Sequence, residues 1–285
     1  MRSGRRPPAE RVRERLRQAA GDEAAAAMPR GYQRLGKVLV LRLPRFLLPY
    51  GTVLADAWRR ELGVETVLAY LGPIEGELRR PRVERLGGGS TVTEVVEHGV
   101  RWRLDASKVM FAAGNRTERH RFALLVRPGE RIADLFAGIG YFTLPAARAQ
   151  STARFVAVEK NPVAFRYLEE NVVLNDLARQ VRPVLGDNRT VPLEAGSFDR
   201  VLLGYLPTST PWIPRALSLL RRPLGSVHVH LVVDAHGART QAAEQVTAEL
   251  ERCGGTVAQP VAAREVKPYG PGTTHVVVDA RVRVR

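Results

Sequence analysis

Asp134-Leu-Phe-Ala-Gly-Ile-Gly-Tyr-Phe142 is the stretch whose reading decides the fold. It closes an apolar, strand-like run, Ile132 to Phe136, and opens a helix over Phe142 to Ala149. Gly138 and Gly140 let the backbone turn tightly after the strand and come close to a ligand that a side chain would exclude. Glu159 ends the next strand, Phe155 to Val158, about 20 residues beyond the glycines, the distance a strand-helix-strand unit needs to bring a carboxylate to ribose hydroxyls. A glycine pair alone has a purely steric reading; the carboxylate in step with it makes this a nucleotide-cofactor site.

The loop also separates two cofactor classes. A dinucleotide fingerprint uses a third glycine for close helix packing and a free helix N-terminus for the pyrophosphate. Here Tyr141-Phe-Thr143 stands where the third glycine would fall, and Asp134 is a poor neighbour for a pyrophosphate but suits the ammonium of a methionine moiety. Gly186-Asp-Asn188 follows another apolar run, Val181 to Leu185, where Asp187 is placed to accept from an adenine amino group. These features point to S-adenosylmethionine.

Outward from the loop, strands and helices alternate. Pro162 to Asn175 reads as a helix with proline near its start, and Arg200 to Leu203, Ser226 to Val233, Arg264 to Val266 and His275 to Ala280 read as strands, with a helix at Ile213 to Leu220. Such alternation predicts an α/β, doubly wound Rossmann-like sheet, mostly parallel, with its ligand at the carboxyl ends of the strands. The expected organisation is a basic leader over residues 1–30, a smaller N-terminal α+β domain over 31–117 and the catalytic domain over 118–285. In the leader only Val12 and Leu16 are large apolar anchors, which predicts a fraying helix. In the small domain Lys37 to Leu43 and Thr66 to Leu71 read as strands, Tyr50 to Leu62 as a helix, and His98-Gly99 as the turn of a hairpin. Gly87 to Ser90 reads as a flexible loop and Lys267 to Gly272 as a rigid turn into the last strand.

The formal net charge of +15 predicts attraction to polyanions, nucleic acid first. Nearly all of it is arginine, the lysines being Lys37, Lys108, Lys160 and Lys267, so base composition of the genome is a competing explanation. Cys253 is the only cysteine, which excludes an internal disulfide and fits a reducing cytoplasm. No stretch approaches the roughly 20 apolar residues of a membrane span. His228 and His230 alternate on one strand and share a face, but zinc needs more ligands than the sequence offers, and no metal is expected.

Three further stretches carry a resemblance. Met110-Phe-Ala-Ala-Gly-Asn-Arg-Thr-Glu-Arg119, the Asp134 to Phe142 loop and Asp199-Arg-Val-Leu-Leu-Gly-Tyr-Leu-Pro-Thr-Ser209 are similar to the wybutosine-synthesis transferases of archaea and eukaryotes and their sister tRNA guanine N1-methyltransferases. Gly76 to Pro81, Leu104 to Lys108, His228-Val-His230 and Val266 to Tyr269 extend the likeness from about Lys37 to the C-terminus. The resemblance implies a class I methyltransferase fold. The methyltransferase branch carries an arginine soon after the residue matching Phe111 and an Asn-Leu-Pro turn after the Asp-Arg-Val strand. Gly114-Asn115 and Gly204-Tyr-Leu206 depart from both, toward the branch that moves the 3-amino-3-carboxypropyl group of S-adenosylmethionine onto a modified guanine beside the anticodon.

The implied cofactor set is Phe111, Asp134, Phe136, Gly138, Gly140, Glu159, Lys160, Asp187, Asn188 and Gly204. Asn115, Glu118, Tyr205, Thr208 and Ser209 are the implied catalytic or acceptor-side residues, with Phe111, Asn115 and Glu118 closing over the methionine arm. Two alternatives stay open for Glu118 and Tyr205, a helix N-terminal charge pair with Arg119 and a core aromatic. The implied partner is the anticodon arm of tRNA. Methyl transfer to a tRNA guanine and aminocarboxypropyl transfer to a small-molecule acceptor are the rival activities.

Overall fold

A computed structural model describes residues 6–73 and 76–284. The chain divides into two units, one running to Val96 and including Arg101–Ala113, the other made of Glu97–Val100 and the chain from Gly114 onward.

In the first unit, α1 (Pro8–Ala27) precedes β1 (Gln33–Leu35), β2 (Val38–Arg42), α2 (Gly51–Leu62), β3 (Thr66–Tyr70) and β4 (Val83–Gly87). The sheet has the order β1-β2-β3-β4, parallel only between β2 and β3. The leader does not fray. Val12, Leu16, Ala24 and Met28 are buried in one cluster with Leu39, Leu54 and Trp58, and Arg11 pairs with Glu61 of α2 at 2.6 Å. Few large anchors suffice because the alanines allow the two helices to approach closely. α1 changes direction at Gly21, whose φ of 84° is outside the helical range.

β5 (Val92–Glu97) and β6 (Val100–Asp105) form the expected hairpin. His98 and Gly99 both have positive φ, 48° and 76°, as a two-residue turn matching strand twist requires.

The second unit continues with α3 (Arg116–Leu125), β7 (Arg131–Asp134), α4 (Thr143–Ala149), β8 (Arg154–Glu159), α5 (Pro162–Leu174), β9 (Val181–Leu185), β10 (Arg200–Leu203), α6 (Ile213–Leu219), β11 (Leu224–Asp234), α7 (Ala238–Arg252), β12 (Gly255–Val257), β13 (Ala262–Gly270) and β14 (Thr273–Val284). Its sheet has the order β12-β14-β11-β10-β7-β8-β9, with β13 also on β14. β11, β10, β7, β8 and β9 are mutually parallel. β14 runs against them and pairs antiparallel with β11, β12 and β13. Central strands such as β10 are buried throughout, the near-continuous apolar run a doubly covered parallel sheet needs. One face is packed by α6 and α7, whose Ala216, Leu217, Val246 and Leu250 join the strand valines. On the other, Phe122 of α3 meets Phe142 and His228 edge-on.

Two expectations are corrected here. The segment from Lys267 is not a turn: β13 continues to Gly270, with irregular register at Glu265/Lys267 and Pro268/Gly270. β13 pairs with β14 alone, and a proline is tolerated at a bulge on such an edge. α7 was not anticipated; its buried Ala238, Ala242, Val246 and Leu250 fall at intervals of four, but two are alanines and give a weak apolar signal.

Candidate active site

The glycine loop lies where the parallel strands end. Asp134 closes β7, and its carboxylate is buried. It accepts from the Thr143 hydroxyl at 2.7 Å and from the Phe136 N–H at 3.1 Å. Burial, only partly offset by these bonds, raises its pKa to about 7, and the neighbouring Glu159 adds to the rise. Glu159 closes β8 and accepts from Gly138 N at 2.7 Å and Asn161 N at 2.7 Å. Burial raises its pKa as well, against those bonds. Gly138 and Gly140 have φ of 58° and 92°. A Cβ on either would meet the Tyr141 ring at 2.4 Å or Leu144 at 2.5 Å, so the loop requires glycine twice over. The sequence-derived group Asp134, Gly138, Gly140 and Glu159 is thus brought together at one turn.

Next along the sheet edge, Lys160 reaches Asp187 at 3.0 Å. The Arg189 N–H, followed by Lys160, holds the Asp187 carboxyl well below the usual range. Asn188 is a brace: its amide donates to Leu135 O at 2.7 Å and its oxygen accepts from the Trp212 indole at 2.7 Å. Its polar atoms are thereby engaged, so the expected framing of adenine passes to Asp187. The braced Trp212 stands edge-on to Phe136 and tilted to Tyr205, while Phe136 and Tyr205 stack at 5.2 Å. Tyr205 is half-buried in this aromatic wall, neither a core residue nor free. Trp212 was missed in the sequence because it follows the Gly204 to Ser209 stretch without a recognisable pattern.

Gly204 borders Phe142, with the nearest atom 3.9 Å from where a Cβ would stand, so small side chains fit there. Thr208 is half-buried, and its hydroxyl shares a hydrogen bond with that of Thr210 at 3.0 Å. Ser209, expected on the acceptor side, is buried instead. Its hydroxyl lies 2.8 Å from the carbonyls of both Leu203 and His230, and accepts from His230 N at 3.1 Å. It ties β10 to β11, a backbone need that sequence spacing does not reveal.

Glu118 also departs from expectation. It is buried and accepts from Arg121 at 2.8 and 2.6 Å. Arg121 also donates to Asp279, which accepts from Nδ1 of His228. Arg200 donates to Nε2 of His228 at 2.6 Å and makes two 2.9 Å bonds to Glu130. The two bonds fix His228 as the Nδ1–H tautomer, and burial favours that neutral ring. Burial opposes ionisation of Asp279, yet His228 and Arg121 hold its pKa below the usual range. Glu118 is therefore committed to this chain of charges, and its pairing with Arg119 is replaced by Arg119 to Glu97. Phe111 is a core residue of the first unit, edge-on to Trp102. Asn115 begins α3 without capping it, and its Oδ1 is buried and unpaired. His230 and His275 share a hydrogen bond of 3.0 Å, and His230 packs on Phe142.

The reversed β14 in an otherwise parallel sheet, with the glycine loop and acidic strand ends, defines a class I methyltransferase-like fold carrying an N-terminal domain. Residues 93–256 match the profile described as the TRM5/TYW2 methyltransferase domain, and residues 12–91 that of the TYW2 N-terminal domain. The chain belongs to the TRM5/TYW2 family. It is 37% identical over 272 residues to the tRNA(Phe) (4-demethylwyosine(37)-C(7)) aminocarboxypropyltransferase of Pyrococcus horikoshii, covering 95% of this chain and 96% of the relative. The enzyme of the same name from Methanocaldococcus jannaschii is 35% identical, over 88% of this chain and 97% of the relative. Among solved structures, P. horikoshii TYW2 in complex with MeSAdo superposes with a TM-score of 0.83 at 34% identity, covering 97% of this chain and all of that one.

Proposed function

We propose that the chain transfers the 3-amino-3-carboxypropyl group of S-adenosylmethionine to 4-demethylwyosine in tRNA and releases methylthioadenosine. The observation that carries the reading is the pair Asp134 and Glu159, two buried carboxylates at adjacent strand ends beside a loop that only glycine can form. Burial alone disfavours two such charges. A ligand with a sulfonium, an ammonium and a ribose diol relieves them, which an uncharged ligand would not. Relatives matching along nearly the whole chain are named for this transfer to C7 of the acceptor base.

In this reading the acceptor carbon attacks the γ-carbon of the methionine chain and the carbon–sulfur bond breaks. Its electron pair goes to sulfur, turning the sulfonium into the neutral thioether of methylthioadenosine, and the acceptor gives up its proton. A sulfonium exposes several carbons to attack, so the outcome depends on which one is held in line at near-attack distance. Asp134 orients the methionine end and Glu159 the ribose. Asp187 and Lys160 border adenine, and Phe136, Tyr205 and Trp212 form a wall for planar groups. Thr208 belongs to the acceptor side, whereas Ser209 and Glu118 act as positioning residues. The arginine-rich charge holds the anticodon arm through its phosphates, with release of counterions, and the small N-terminal unit is the part assigned to that contact. A reducing cytoplasm, where tRNA and a chain with one cysteine coexist, is the proposed location.

The test is mass spectrometry of products after incubation with S-adenosylmethionine and anticodon-modified tRNA. Methylthioadenosine with an aminocarboxypropyl mass gain on the tRNA is the expected result. S-adenosylhomocysteine with a methyl gain would instead make the chain a methyltransferase. Methylthioadenosine formed only with a small-molecule acceptor would remove tRNA from the reading.

A further inference from the structure

At the start of α3 an acceptor and a cation stand side by side. Asn115 holds the N-cap position, where an asparagine oxygen ordinarily accepts from the first turn of the helix. Here it makes no such bond, and its Oδ1 is buried without a partner. A Cβ on the preceding Gly114 would stand 2.8 Å from Cδ and 3.3 Å from Nζ of Lys267, so the lysine ammonium rests against the backbone that leads into Asn115.

Lys267 lies on β13 opposite His275, and its charge adds to the burial that lowers the pKa of His275 to about 4. His275 bonds His230, and His230 packs on Phe142, the residue that follows the glycine loop. A continuous line of side chains therefore leads from the cofactor loop to the Lys267 and Asn115 pair. The nucleotide contacts described above use neither residue.

We infer that Lys267 and Asn115 hold the 3-amino-3-carboxypropyl group itself. That group is a zwitterion, so its binding needs a cation for the carboxylate and an acceptor for the ammonium. Lys267 supplies the first and the Asn115 Oδ1 the second. Gly114 is the condition for the arrangement, because any side chain there displaces the lysine stem. With both ends of the amino acid held, the γ-carbon rather than the methyl is presented to the acceptor.

The inference rests on the cofactor reading proposed above, and ligand chemistry separates the two. S-adenosylhomocysteine carries the amino acid, and methylthioadenosine lacks it. Calorimetric titration of Lys267→Met and Asn115→Ala with each should show affinity for S-adenosylhomocysteine reduced roughly tenfold or more, the size expected for a charge-assisted contact. Affinity for methylthioadenosine should stay within about twofold of the parent, since no contact to it is lost. Lys267→Arg, which keeps the charge, should restore part of the loss. Equal weakening of both ligands, or of neither, would overturn the inference and leave the cofactor reading intact. A parent protein that binds neither ligand would overturn both.

Discussion

Replacing Asp134 by asparagine tests the electrostatics of the site directly. The carboxyl titrates at about 7 in the folded chain against a model value of 3.8. Below about pH 4 it is protonated in both states and contributes no difference. As pH rises from 4 to 7 the unfolded chain loses the proton while the native chain retains it, so the native state is progressively destabilised. Above pH 7 the penalty is constant, at most about 4 kcal/mol for a shift of roughly three pKa units. Asp134→Asn removes it. The carboxamide oxygen can still accept from Phe136 N–H, and the Thr143 hydroxyl must turn to accept instead of donate, a loss of about 1 kcal/mol. A net gain of roughly 1–3 kcal/mol at pH 8 follows, or about 2–4 °C of Tm for each kcal/mol, shrinking toward pH 4. Differential scanning calorimetry of both proteins at pH 4.5 and pH 8 reads this. The stabilised variant should lose S-adenosylmethionine affinity, and in the parent that affinity should rise between pH 5.5 and 7 with release of a proton, seen by calorimetry in two buffers. A variant no more stable at pH 8 than at pH 4.5 relative to the parent, together with a flat parent affinity, would refute the reasoning.

Glu159→Gln should weaken S-adenosylmethionine and methylthioadenosine alike, because both carry the ribose; an unchanged dissociation constant in equilibrium dialysis would remove the ribose role. Ser209→Ala should cost about 1–3 kcal/mol in urea unfolding, because it strips bonds from buried backbone groups. Its affinity for methylthioadenosine should stay near that of the parent, and a selective loss of tRNA binding at unchanged stability would return Ser209 to the acceptor side. Leu16→Ala should destabilise the first unit by about 2–5 kcal/mol, and a chevron or melt indistinguishable from the parent would mean that α1 is not docked.

The cofactor loop was legible because its chemistry is local. Two glycines, an aspartate and a glutamate at a fixed spacing have few other solutions, and the strand alternation around them carries the sheet. The leader was misread for the opposite reason: Ala24 and Ala25 are weak signals in a hydropathy pattern but strong ones in a close helix pair. Ser209 and Glu118 look like reactive groups in a sequence, yet one satisfies backbone carbonyls and the other a guanidinium more than 150 positions from the aspartate it shares. Such roles depend on long-range register between β10, β11 and β14, which no local pattern encodes. Trp212 escaped for a related reason, since its orientation depends on Asn188, a residue from another strand end.

The chain of charges from Glu118 through Arg121, Asp279, His228 and Arg200 to Glu130 also bears on how this protein can evolve. Removing one member leaves its neighbour charged and buried, at a cost of about 3–5 kcal/mol, a large part of the 5–15 kcal/mol that a domain typically has in reserve. Single substitutions along it are therefore close to lethal steps, while paired replacements are passable. Drift at these positions should proceed in couples, so that the sequences of relatives record the network as covariation between residues far apart along the chain.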